Sequence, residues 1–578
     1  MDDMAGPMTD NTDETGTPKS DFASPGAETS LCAEPTPDPA SRALSTLAGI
    51  LASGLALAIG ELFSGIFDSV RSLVVSVAEA IVDWTPGSIA RFSIDLFGTN
   101  QKAILVWGVA IVTLLLGAVV GRLAGRSRGV ALTVFAVFGL FGGFAAARVP
   151  GNSAGLSWVS ALTAGAVGLG ALLLMLARLD ARPGATHSSV ASVSDAQAQD
   201  LLQQGGRRRF LGIAGLTGAG ALGSWLGGSV LRKRFNVNAA REDAAVAIAN
   251  RSEAAIATPT PPPSPTSSVP VASTLTRLDS VVEGITPLIV PNNDFYRIDT
   301  ALIVPQIDPI GWSMEIKGMV DTPVTYTYQD LLDRASQEEP VTLSCVSNQV
   351  GGGLVGNAVW LGVPLKELLE EAGVQPGATQ LVSRSEDGWG CGFPTEILDD
   401  PDRVAMVAIA MNGEPLPTAH GFPARLVVSG LYGYVSATKW LREIEMTTWE
   451  DYDGYWIPRG WSKLGPVKTQ SRIDVPRNGT QLEAGPQVIA GVAWAPNSGI
   501  EKVEVAVDDG EWQLAELIID QSVHAWRQWK LNWNPETSGQ YRIKVRATDG
   551  SGYTQTEERT AVAPDGATGH HTIDVRVA

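Results

Sequence analysis

Cysteine and histidine are scarce, with three and five residues respectively in a chain of 578. Cys32, Cys345 and Cys391 cannot build a disulfide framework, and no CxxC, CxxCH or paired-cysteine zinc pattern occurs. His187, His420, His524, His570 and His571 all lie outside the apolar runs, so no membrane-embedded histidine pair can ligate a haem. Charge is also sparse: 18% of residues are charged and 44% are hydrophobic, a low ratio for a soluble protein of this length. The balance is acidic, at −19, which argues against nucleic acid as a partner because phosphate binding needs clustered Lys and Arg.

A chain of this length exceeds one core, and its composition divides it. Residues 1–40 are rich in Asp, Glu, Thr, Pro and Gly and read as a disordered acidic tail. Cys32 sits there in SLCAEP, without the apolar lead-in of a lipidated cysteine. Residues 41–235 carry five apolar runs, Ala43–Gly60, Ala103–Val120, Val130–Ala147, Leu156–Ala177 and Phe210–Leu231. Each is close to the roughly 20 residues that cross a hydrocarbon core as a helix. Between the first two runs, IFDSVRSLVVSVAEAIVDW has helical periodicity and is expected along the membrane surface. Glu61, at the edge of the first run, can reach the interface.

The arginines set an expected topology. Arg122, Arg126 and Arg128 fill one short connection, and Arg207, Arg208 and Arg209 precede the fifth run, so both are expected inside. Five crossings then place the N-terminus in the cytoplasm and everything after Leu231 outside. Arg207-Arg208-Arg209-Phe210-Leu211 also fits the RRxFL core of a twin-arginine export signal, a route that carries folded proteins. The competing reading is ordinary positive-inside arginines ahead of a helix.

Residues 236–277 combine an Ala-rich stretch with TPTPPPSPTSSVPVAST, a semi-rigid tether. From 278 to 472 short strands mix with amphipathic helices, such as TYQDLLDRA and PLKELLEEAGV, giving an α+β domain. From 473 to 578 only strands follow. Val503, Val505 and Val507, then Tyr541, Ile543, Val545 and Ala547, then Ile573, Val575 and Val577 alternate, and Asp509-Gly510 is a hairpin signal. This pattern predicts an all-β, immunoglobulin-like sandwich.

One cysteine stands apart. VTLSCVSNQVGGG places Cys345 at the end of a strand-like run and before a turn-rich loop. Two readings stay open on these residues alone: a buried filler thiol, as free Cys often is, or a sulfur placed to reach a ligand. Downstream, MNGEPLPTAHGFPARLVVSGLYGYVSATKWL brings together His420, Arg425 and Lys439 among glycines and prolines. Arg and Lys suit phosphate oxygens, and glycine lets a ligand approach the backbone, so an anionic cofactor is favoured over a merely solvated basic loop.

The segment from about 285 to 578 resembles the sulfite oxidase family of molybdopterin enzymes in NNDFYR, LSCVSN, GNAVWLGVPLKELLEEAG and MNGEPLP-HGFPAR-GYVSATKWL. The strand-rich end, with HAWRQW at His524–Trp529, is similar to that family's dimerisation domain. The resemblance implies a molybdenum–molybdopterin cofactor with one metal ligated by the Cys345 thiolate, a soft donor that suits it. It implies that Asn293, Tyr296, Arg297, His420, Arg425 and Lys439 hold the pterin and its phosphate, with Ser385, Ala437 and Thr438 in the same shell. The chain departs from sulfite oxidases proper at Gln349 and Val350, where arginines help form an anion pocket. It departs again at Trp389, in place of a tyrosine, and near Val435 or Ser436, where a basic residue is missing. Cys391 falls near the same pocket, as a lining residue or as filler. A disulfide between Cys345 and Cys391 would consume the implied ligand. NNDFYR also resembles the bacterial periplasmic members that reduce protein methionine sulfoxide.

The expectation is therefore a multi-domain chain, with an all-α transmembrane region of five helices, a sulfite-oxidase-like α+β domain and an immunoglobulin-like sandwich. It would be a membrane-anchored oxidoreductase acting outside the cytoplasmic membrane on a small sulfur-containing or related substrate. It is expected to carry no haem, to use a separate electron carrier or the quinone pool, and to be able to form a homodimer. The alternatives are a reductase of S- or N-oxides, or a metal-free exported binding or scaffold protein.

Overall fold

The computed structural model describes residues 39–97, 100–180, 195–256 and 277–578. The expected acidic tail with Cys32, and the Pro-rich part of the tether, lie outside the described residues.

The helical region comprises α1 (Pro39–Ile66), α2 (Leu73–Trp84), α3 (Gly87–Phe97), α4 (Gln101–Ala124), α5 (Arg128–Arg148), α6 (Ala154–Asp180) and α7 (Asp195–Arg232). Among the described residues five helices, α1, α4, α5, α6 and α7, are long and apolar enough to cross a membrane. They pack through small residues: a methyl group on Gly49 would sit 1.9 Å from the Gly117 carbonyl oxygen. Close backbone approach of this kind replaces the hydrophobic drive that helices lack in lipid. Glu61 pairs with Arg232 and bonds Ser72, joining the ends of α1 and α7. In the segment expected to lie along a membrane surface, α2 packs against the bundle and buries Val74, Val75 and Ala78.

The Ala-rich half of the expected tether is a helix, α8 (Asn238–Ile256). Alanine is the strongest helix former. Tertiary contacts fix α8 in place: Ala244 and Ile248 are buried, and Arg241 donates to the carbonyls of Pro415 and Leu416.

Two sheets then share one core. The first holds β1 (Ser313–Gly318), β2 (Val324–Thr327), β5 (Gln380–Ser385), β6 (Gly390–Pro394) and β10 (Leu441–Thr447), in the order β2-β1-β10-β5-β6, with β1 and β10 parallel. The second holds β3 (Gln337–Ser344), β4 (Val355–Pro364), β7 (Ala405–Met411) and β8 (Glu414–Pro415) in that order, and β9 (Arg425–Val428) also pairs with β7. The helices α9 (Tyr328–Arg334), α10 (Leu365–Ala372) and α11 (Gly433–Ser436) complete this part. The first two match the expected segments. Thr327 and Asp330 form a reciprocal cap at the start of α9, and Gly373 in a left-handed conformation ends α10.

The last part has a four-stranded sheet, β11 (Gln470–Val475), β13 (Gln487–Trp494), β17 (Arg527–Trp533) and β16 (Glu516–Leu517). It also has a five-stranded one, β12 (Gln481–Leu482), β19 (His571–Val577), β18 (Gly539–Asp549), β14 (Ile500–Val507) and β15 (Gln513–Leu514). Val503, Val505, Ile543, Val545, Ala547, Ile573 and Val575 turn inward onto Ile489 and Trp529, so the two sheets share a core as the alternation predicted. The turn after β14 is carried by Asp508 and Asp509, both at positive φ, one residue earlier than the Asp-Gly pair. The HAWRQW segment bonds back across the boundary: the Trp526 indole donates to the Leu288 carbonyl, and Thr342 N–H donates to the His524 carbonyl.

The helical bundle meets the sheets at one end only among the contacts described. Pro150, in the turn between α5 and α6, packs against Gly388, and Gly87 against Arg459. Lys102, in the first turn of α4, pairs with Asp299 at 2.6 Å.

Candidate active site

Cys345 directly follows β3, where the second sheet opens into a loop. It is 9% exposed, and its sulfur lies 2.9 Å from the Ser347 hydroxyl. Burial raises its thiol pKa, with Ser347 opposing only in part, so the free side chain is a protonated thiol at neutral pH. The loop beyond is held from both sides. Asn348 accepts from Leu354 N–H, and Arg472 on β11 donates to the Gly352 carbonyl at 2.8 Å. Gly351, at φ +76°, lies so close to the His571 ring that a methyl group there would sit 2.2 Å from it. The C-terminal sheets therefore clamp the loop that follows the cysteine.

Around His420 gathers a shell of three basic side chains, Arg425, Lys439 and Arg297. Arg425, at the start of β9, is 5% exposed. It donates to the carbonyls of His420 (3.1 Å) and Ala437 (3.5 Å) and lies 4.8 Å over the Trp360 ring. Its Nε is buried without a partner, and no carboxylate lies against it among the described residues. Burial pushes its pKa down to about 10, which still leaves a full cation at neutral pH. An unpaired buried guanidinium costs several kcal/mol, on the order seen when one partner of a buried pair is removed, unless an anion offsets it.

Tyr296 interacts electrostatically with Cys345 and with Arg425, which links the thiol to this shell; burial, then Cys345, raises its phenol pKa. His420 donates its Nε2–H to the Asn292 carbonyl at 3.1 Å and packs edge-on against Phe295. Burial, then Arg425 and Lys439, pushes it down to about 4, so it is neutral. Lys439 reaches Asp299 at 2.7 Å and the Ala419 carbonyl at 3.1 Å. Burial pushes its ammonium down to about 8 despite that carboxylate. Burial opposes the ionised form of Asp299, but Lys439, Arg297 and Lys102 outweigh it and hold the carboxyl well below its ordinary range.

The remaining sequence candidates fall into two groups. Arg297 joins the shell through Asp299 at 2.8 Å, and Ala437 contributes its carbonyl to Arg425. Asn293 is exposed, and the Asn292 side chain is the one bound to Asn412. Ser385, buried at the end of β5, and the half-buried Trp389 bond each other through their backbones. Thr438 bonds Ser383 at 2.6 Å and Cys391 at 3.3 Å. Cys391 is fully buried, with its sulfur facing those two hydroxyls, and both Cys345 and Cys391 are free thiols. Gln349 is exposed and Val350 half-buried in the clamped loop.

Sequence reasoning missed Asp299, Lys102, Trp360 and Ser347. Asp299 stands two places after Arg297 in FYRID, where only its burial distinguishes it from a surface acid.

The residues present fit an anionic, metal-bearing cofactor. Arg425 presents an orphaned donor, and Cys345 a soft one. Among the described residues no three His, Cys, Asp or Glu side chains converge on one point. Cys345 would thus be a lone protein ligand to a metal whose other donors arrive with the cofactor.

Two family models match the chain: the oxidoreductase molybdopterin binding domain over residues 301–456, and the Mo-co oxidoreductase dimerisation domain over residues 465–570. Among curated proteins it is similar to mitochondrial sulfite oxidase of Homo sapiens, 29% identical over 303 residues, covering 44% of this chain and 55% of that protein. It is also similar to the uncharacterized oxidoreductase YuiH of Bacillus subtilis, 34% identical over 158 residues, covering 27% of this chain and 76% of that one. Among solved structures, the sulfane dehydrogenase SoxCD from Paracoccus pantotrophus aligns at 26% identity with a TM-score of 0.45, covering 50% of this chain and 81% of that chain. The matched region spans about half the length of the mitochondrial sulfite oxidases, 55% in the human protein.

Proposed function

Because the chain belongs to the sulfite oxidase family of molybdopterin-dependent oxidoreductases, we propose that it is a membrane-anchored member using Cys345 and the Arg425 shell to hold its cofactor. Its work would be two-electron oxygen-atom transfer on a small sulfur-containing or related substrate outside the cytoplasmic membrane. The observation that carries this is the buried Arg425 guanidinium, with a free Nε and no carboxylate against it among the described residues, linked through Tyr296 to a buried free thiol. When bound, the molybdenum cofactor supplies the oxygen-atom chemistry, and the protein sets access, orientation and field.

The chain's own groups divide the binding. Cys345 offers the thiolate, which burial disfavours in the free protein and which a metal at the sulfur would sustain. Lys439 and Arg297 offer charge to the phosphate, and Arg425 offers its charge to the pterin. Neutral His420 and Tyr296 pack on Phe295 within the same shell. Asn293, Ser385, Ala437 and Thr438 belong to the same shell, with Gln349, Val350 and Trp389 as substrate-side candidates, while the fully buried Cys391, facing Ser383 and Thr438, is read as a structural thiol. Met-rich or acidic cages are not required of such a site, since the metal's remaining donors belong to the pterin.

Two features agree with the outward orientation. The helix ends that the arginines place outside are the ones touching Gly388, Arg459 and Asp299. Arg207, Arg208 and Arg209, at the opposite end of the apolar part of α7, are exposed as an export motif must be. Residues 473–578 act, on this reading, as an immunoglobulin-like module through which two copies pair.

Reduction of an S- or N-oxide is the second reading. It is favoured by neutral Gln349 and Val350, since a buried dianion such as sulfite needs paired positive charge. Metal and pterin analysis of the full-length protein purified through its export route tests the first claim, and absence of both would end either enzymatic reading. Turnover of sulfite against methionine sulfoxide separates the two.

A further inference from the structure

Asp299 is surrounded in a way the cofactor reading does not by itself explain. Its carboxylate is 4% exposed and touches three cations: Lys102 at 2.6 Å, Lys439 at 2.7 Å and Arg297 at 2.8 Å. Two of these come from the region expected to bind the phosphate. Lys102 comes from the first turn of α4, the second candidate membrane span, 197 residues away in sequence. A lysine in a first turn opposes the helix dipole, which favours anions there by about 0.3–1 kcal/mol. Its ammonium is nonetheless fixed twice, on Asp299 and on the Ala301 carbonyl at 2.8 Å.

Charge arithmetic indicates what Lys102 does. Arg297 and Lys439 together carry two positive charges, which match a doubly ionised phosphate. Asp299 between them would cancel one of those charges and repel the ligand. A third cation on the far side of Asp299 restores the match.

Resting on the cofactor reading above, we propose that the membrane region completes the phosphate end of the cofactor site. Lys102 of α4 acts as a positioning residue that neutralises Asp299, and so leaves Arg297 and Lys439 to the cofactor. Docking of the catalytic region on the helices and retention of the cofactor are then one equilibrium.

The test uses full-length protein in detergent and measures pterin release by fluorescence at low salt, independently of turnover. Lys102→Ala should release pterin about fivefold faster, the scale of one well-placed ion pair, and Lys102→Arg should match the wild type. High salt should shrink the difference. Adding Asp299→Asn to Lys102→Ala should restore retention, because the uncompensated carboxylate is removed; a purely structural role for Lys102 would not be rescued this way. Unchanged release in Lys102→Ala, or faster release without rescue, would overturn the proposal while leaving the cofactor reading intact. Wild-type protein with no pterin would overturn both.

Discussion

The two described cysteines make a controlled comparison. Both are buried, both are free, and burial raises both thiols, that of Cys391 to about 11. Cys391 lies inside β6 between the hydroxyls of Ser383 and Thr438, each of which has another partner in the other. Cys345 lies at a strand end and interacts with Tyr296, which in turn interacts with Arg425, a cation with no carboxylate against it among the described residues. Burial and pKa therefore do not separate a structural thiol from a ligating one. The unfinished electrostatics around it do.

The comparison breaks most visibly at the cysteines themselves. Cys345→Ser should leave a folded protein and lower turnover by more than the roughly 10–100-fold that losing an outer-shell partner of a metal ligand costs. Cys391→Ser should cost about 1 kcal/mol of stability and leave turnover within about twofold, since the new hydroxyl meets two others. Steady-state rates and thermal unfolding of both variants check this; equal loss at the two sites would remove the distinction.

Arg425→Met probes the unfinished charge. Removing it should cut pterin content severalfold. The cofactor-free protein should gain about 1–3 kcal/mol, because a buried unpaired charge is replaced by a side chain of similar volume. A paired, structural arginine would show the opposite sign in denaturant unfolding.

The clamp on the cysteine loop gives a smaller effect. Gly351→Ala meets both a left-handed backbone and the His571 ring, and should cost about 1–3 kcal/mol and loosen cofactor retention. Gly353→Ala, with open space around it, should be within about 0.5 kcal/mol of the parent.

Smallest is the pH dependence. His420 and His571 are both held near 4 in the folded chain, against an ordinary 6.5. Between those values the unfolded chain binds more protons, so stability should fall as pH drops from about 6.5 to 4 and level off below. Thermal unfolding across that window checks the slope, and His571→Gln should flatten it.

Much of this architecture was legible because it rests on local pattern. The five apolar runs, the amphipathic segments TYQDLLDRA and PLKELLEEAGV and the inward alternation of Val503, Ile543 and Ile573 are all short-range signals. Cys345, His420, Arg425 and Lys439 stood out through residue type and the family resemblance. What escaped depends on distant partners. Nothing near Lys102 foretells Asp299, nothing near Gly351 foretells His571, and Arg297 and Asp299 look like a surface pair until burial is known. The helix α8 escaped for a different reason. Its alanines were read with the prolines that follow them, while its order comes from the carbonyls of Pro415 and Leu416.

The central claim is that Cys345 is the one protein ligand to a molybdenum held by a pterin. X-ray absorption at the molybdenum edge, on full-length protein and on Cys345→Ser, tests it most directly. The account predicts molybdenum in both and one sulfur neighbour fewer in the variant; an unchanged sulfur count, or no molybdenum in the parent protein, would contradict it.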